Sequence, residues 1–212
     1  MPLFPNIEQC QLAIQQFPED QAQALHGIHQ HLIQNRTNQG LIDIEGKVLR
    51  LLGGWGAFRG QRARRNEHFL QALVRNEQAV TSLFHVLDLS ANNGGLTAIL
   101  DHHQRIQPLY DSLTSVLLMN EVPARIMTVS KSLLMLTGFT VGFDSRVLLR
   151  IRQANPFVLT CPGVWPFCLF LETLRFIASE QDEWERANGP MSGLLQGVPI
   201  GQIMDRILWG KN

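Results

Sequence analysis

The sequence predicts an all-α fold in a single compact multi-helix domain, residues 1–212, and three observations carry that expectation. Apolar residues recur at helical spacing along most of the chain. Helix-start chemistry, in the form of Asn, Asp or Pro followed by acids, precedes several of those runs. Few runs alternate apolar with polar over five or more residues, so no sheet larger than a hairpin can be drawn. With 212 residues and 45% hydrophobic content the chain can bury a sizeable core, and the caps and periodicities imply roughly 55% helix or more.

Taken in order, Asn6 with Glu8 and Gln9 opens a run holding Ile7, Leu12, Ile14 and Phe17. Pro18 with Glu19 and Asp20 then opens a second helix through Ala24, Leu25, Ile28, Leu32 and Ile33. Residues 35–40 read as a turn. LIDIEGKVLRLL, 41–52, suits a short strand or a helix entered near Asp43, and the character of its neighbours favours helix. GGWGAFRG breaks the chain, and Asn66 is expected to cap a run with Phe69, Leu70, Leu73 and Val74. Further helices are expected near 77–89, 95–118, 123–137, 144–154, 163–180 and 199–209. The Pro- and Gly-bearing stretches NPFVLTCPGVWP and NGPMSG read as loops between helices, not as an inter-domain linker.

No apolar stretch has the roughly eighteen residues of a membrane span, and MPLFPNIEQC lacks the basic start and apolar run of a signal peptide. A cytoplasmic chain with no membrane partner is the expectation. Cys10, Cys161 and Cys168 form an odd set without C-x-x-C, so buried reduced thiols are expected in place of a disulfide framework or a zinc site. The net charge of zero is segregated: residues 47–152 carry thirteen Lys and Arg against seven Asp and Glu, a balance of +6, between flanks at −4 and −2. A basic centre between acidic ends suits an anionic partner, either nucleic acid or an acidic protein.

Neither metal nor cofactor is expected. In HGIHQH, His26 and His29 share a helical face without a third ligand nearby, and TAILDHHQR reads as solvated helix. There is no G-x-S-x-G or G-x-x-x-x-G-K-[ST], and the glycines of LLGGWGAFRGQ lack a strand-then-helix setting. Those glycines do set Trp55 and Phe58 beside Arg59, Arg62, Arg64 and Arg65, a combination of stacking surface and phosphate ligands. A buried Trp–Phe anchor beside a solvated basic turn is the plainer alternative. In GFDSRVLLRIR, Asp144 stands at a helix start before Arg146, Arg150 and Arg152. It reads either as an N-cap or as a functional carboxylate facing a cationic helix.

The order of Lys131, an apolar helix, a turn at Gly138 and then Phe143-Asp144-Ser145-Arg146-Val147 resembles the helix-hairpin-helix DNA glycosylases, in which a lysine and an aspartate in a pattern like V-D-[ST]-x-[VI] follow a hairpin. It is also similar to uncharacterised bacterial helical proteins carrying Ser-Lys and then aromatic-Asp-Ser-Arg-Val. The resemblance covers about 35 residues and implies a glycosylase-like fold, Asp144 and Lys131 as catalytic groups, and arginines on the DNA backbone. It departs from the family at EVPARIMTVS, which has no hairpin glycine, and in the short interval from Lys131 to Asp144.

Overall fold

A computed structural model describes residues 2–91, 95–158 and 163–210. About 70% of them are helical, and among them the nearest approach to a sheet is one isolated bridge between Arg65 and Leu118. The first helix, α1 (Ile7–Gln15), begins where the side chain of Asn6 accepts the Gln9 amide at 2.9 Å. Next comes α2 (Glu19–Gln34), with Pro18 in the cap position, so the missing proline amide leaves no broken bond.

The 41–52 stretch is helical, as two pieces. α3 (Asn38–Asp43) is capped by Thr37, and α4 (Glu45–Gly54) follows after a joint at Ile44. The expected turn therefore ends early, at Thr37. Asn66 does not cap the next helix, α5 (Phe69–Leu73). Its carboxamide bonds His68 N–H and the Val116 carbonyl, tying the loop to the end of α8 (His103–Val116). Glu45, on α4, supplies the cap instead: its Oε1 accepts the Leu70 amide at 2.6 Å.

Residues 95–118 form two helices where one was expected. α7 (Leu96–Leu100) packs on α11 (Phe167–Asn188), whereas α8 packs along α6 (Glu77–Ala91). The break after Leu100 lets neighbouring apolar faces serve different partners. The remaining elements are α9 (Ile126–Thr137), α10 (Ser145–Ala154) and α12 (Ile200–Trp209). α11 starts after Pro166 and runs eight residues past its expected end, to Asn188.

Helix α9 is the axis of the core. Its residues from Thr128 to Thr137 are all buried, and α2, α4, α6 and α8 pack around it. It stops at Gly138, whose φ of 71° is the left-handed conformation that favours glycine and whose missing β-carbon would stand 2.5 Å from Pro199. The buried side chains join in one hydrophobic cluster drawn from every α-helix. Among the described residues no helix is long and apolar enough to cross a membrane. Cys10 is buried, and burial pushes its thiol up to about 11. Cys168 corrects the expectation of buried thiols: it lies on the outer face of α11 and is exposed. Cys161 lies outside the described residues.

Candidate functional site

Lys131 projects from the middle of α9, and its Nζ donates to Asp144 Oδ2 at 3.2 Å; the two side chains are 7% and 15% exposed. Asp144 is the N-cap of α10, with Oδ1 accepting the amides of Arg146 and Val147 at 2.9 and 3.1 Å. The two alternatives read from the sequence thus share one carboxylate: Oδ1 caps the helix and Oδ2 holds the lysine. The Lys131 ammonium also lies 4.6 Å from the centroid of the Trp55 ring, whose Nε1–H is anchored on Gln21 at 2.7 Å.

A third partner comes from α12. Asp205 is buried, and its Oδ1 accepts the Gly142 amide at 2.7 Å. Burial pushes its carboxyl up to about 6, against the opposing pull of Lys131 and the Gly142 amide. Ser130 completes the clamp by accepting the Phe143 amide on its hydroxyl at 2.9 Å. The adjacent pair Ser130-Lys131 therefore grips the adjacent pair Phe143-Asp144, and the two halves of the sequence pattern are a single physical contact.

The arginines separate into three groups. Arg146 and Arg150 serve the end of α12: Arg146 lies 4.8 Å over the Trp209 ring, and Arg150 donates to the carbonyls of Ile207 and Gly210. Those donors occupy the free carbonyls of a helix C-terminus. Arg65 pairs with Glu67 at 3.2 Å. Arg59, Arg62, Arg64 and Arg152 are exposed and, among the described residues, carry no side-chain hydrogen bond or ion pair.

The glycine loop has a role that its sequence leaves ambiguous. Gly56 and Gly60 have φ of 66° and 69°, and a β-carbon on them would stand 2.9 Å from Arg59 Nε and 3.0 Å from Arg125 Nη1. They make room for arginine side chains of the same protein. Phe58 and Trp55 both pack against the core, and Trp55 also lines a cleft between α2 and α4 with Gln21 and Arg50.

Arg59 and Arg152 meet a residue that the sequence reading passed over. Together with Arg125 they line a cavity of about 370 Å³ between the starts of α9 and α10. Phe143 and Ser145 line it too, on either side of Asp144 in the chain, but Asp144 and Lys131 do not. Of the three histidines in HGIHQH, His26 is exposed, His29 is buried and His31 bonds the Gly40 carbonyl at 3.2 Å. Among the described residues no group of three His, Cys, Asp or Glu gathers at a metal-binding distance. No family model, curated protein or solved structure matches the chain.

Proposed function

We propose that the chain binds nucleic acid through Arg59, Arg62, Arg64 and Arg152, on a scaffold of helix-hairpin-helix glycosylase-like ancestry. The observation that carries this reading is that all four are exposed guanidinium groups without a carboxylate partner among the described residues. An unpaired guanidinium keeps its planar fork of donors for a phosphate. By comparison, Arg150 donates to the carbonyls of Ile207 and Gly210, Arg65 pairs with Glu67 at the surface, and Arg146, also exposed, stacks on the Trp209 ring. Exposed phosphate ligands of this kind neutralise a strand without reading its bases. Fluorescence anisotropy with a labelled duplex tests the reading: Arg62→Ala/Arg64→Ala weakens binding, and the control pair Arg36→Ala and Arg186→Ala does not. Binding to polyglutamate with none to DNA would assign the same arginines to an acidic protein.

A second reading, base excision, is favoured by the convergence of Trp55, Lys131, Asp144 and Asp205. In hydrolytic release, a water oxygen bonds to the sugar C1′ as the bond from C1′ to the base breaks. Asp144 takes the water proton, and the base leaves with a proton from solvent. Asp144 would have to exchange its contact with Lys131 for the water. Release of a base from damaged duplexes by wild type and its loss in Asp144→Asn supports catalysis. Absence of release from every lesion leaves the pair a structural clamp and the protein a binder.

A further inference from the structure

We infer that the cavity between the starts of α9 and α10 is a binding site for a small phosphate monoester carried on an apolar body, recognised as its dianion. Its deep wall is apolar, with Phe143 and Ile126 at 0% and 1% exposure and Leu148 at 7%. Met127 and Leu149 continue that surface outward, and Leu149 is 56% exposed. At about 370 Å³ the space lies within the range of small-ligand pockets.

Its charged groups have one sign, beside the neutral polar side chains of Gln61 and Ser145. Arg59, Arg125 and Arg152 line the cavity, and among the described residues no carboxylate does. None of the three has a side-chain hydrogen bond or ion pair among the described residues. Arg59 and Arg125 are seated by the β-carbon-free positions of Gly56 and Gly60, so part of the ordering cost of a bound state is already met. Helix α9, which opens onto the cavity at Ile126 and Met127, has neither a side-chain cap nor an acid in its first turn. Its positive end adds to the arginine field. The first amide of α9, Ile126 N–H, donates to the Gly163 carbonyl at 2.7 Å, so the three guanidinium groups are the main anion ligands; they suit two negative charges better than one, and the apolar wall requires a hydrophobic body beside them.

The site shares Arg59 and Arg152 with the nucleic-acid reading, but Arg62 and Arg64 do not line the cavity, so the two can be tested apart. Isothermal titration calorimetry on the full chain tests it with 1-naphthyl phosphate, 1-naphthoate, 1-naphthol and inorganic phosphate. The naphthyl phosphate should bind on the order of tenfold or more tighter than each of the others, the scale of one charge-assisted hydrogen bond. Its binding should weaken below about pH 6, where the second phosphate proton returns, whereas any naphthoate binding should not weaken there. Arg152→Glu, at an exposed position, and Arg125→Gln should each reduce naphthyl phosphate affinity on the order of tenfold or more. Arg62→Ala/Arg64→Ala should leave it unchanged, so loss of DNA binding and loss of this site are separable. Equal binding of naphthoate and naphthyl phosphate would overturn the dianion assignment. Heat signals that survive Arg152→Glu in a folded protein would overturn the site itself.

Discussion

A β-carbon on Gly142 would stand 2.8 Å from Lys131 Cγ, so the absence of a side chain at 142 is what lets the lysine stem pass to Asp144. The same glycine donates its amide to Asp205 and its carbonyl accepts the Asp144 amide at 2.7 Å. Gly142→Ala must therefore move the Lys131 stem or the loop, and both are held by buried contacts. We expect a loss of about 1–3 kcal/mol, the usual cost of overpacking a filled interior, measured by urea denaturation. An unchanged midpoint would mean that the stem has slack.

The pairing of Lys131 with Asp144 makes Asp144→Asn more costly than a cap substitution alone. Asparagine caps a helix as well as aspartate does, but it leaves the buried ammonium without one of its counter-charges. We expect a loss of about 2 kcal/mol or more. Lys131→Met keeps the cap and removes the charge, so the double variant should recover part of the loss. A coupling energy of about 0.5–3 kcal/mol in the double-mutant cycle supports the pair, and strict additivity contradicts it.

Two buried groups oppose each other in their response to pH. Asp205, raised from 3.8 to about 6 by burial, keeps its proton in the folded chain after the unfolded chain has lost it. Its contribution therefore falls as pH rises through that window. His29, lowered from 6.5 to about 4 by burial and by His26, stays neutral in the folded chain while the unfolded chain protonates. Its contribution is lost as pH falls through its window. Asp205→Asn should therefore make stability rise with pH more steeply than in wild type between about pH 4 and 6, and His29→Gln should do the reverse. The slope per group is at most about 1.4 kcal/mol per pH unit. Denaturation curves at several pH values read both slopes, and shifts in the same direction for the two variants would contradict the assignments.

Much of the helical layout was legible because it depends on local pattern: Asn6 and Asp144 cap as their sequence contexts imply, and α6 and α10 lie close to where the apolar spacing puts them. Lys131, Asp144 and Trp55 could be singled out but not joined, since their meeting depends on how α9 packs against α4 and α10. Asp205 was passed over for a physical reason. In GQIMDRILW a charged pair reads as the solvent face of a terminal helix, yet Asp205 accepts the Gly142 amide, Arg206 lies over the Phe17 ring and every residue from Ile200 to Leu208 is buried. Arg125 was equally silent, because nothing local ties it to Gly60 or to Arg152 across the cavity. The arginine ladder of α10 was read as one cationic face. The structure divides it, with Arg146 and Arg150 turned to α12 and Arg152 to the cavity.

The salt dependence of duplex binding tests the central claim most directly, because each phosphate neutralised by an arginine releases counterions and steepens the fall of affinity with salt. Anisotropy titrations from about 50 to 200 mM salt should give binding that weakens steeply in wild type. The slope should be shallower by about one to two phosphates' worth in Arg62→Ala/Arg64→Ala. Undetectable binding at about 50 mM salt, or a slope that the paired substitution leaves unchanged, would contradict the account.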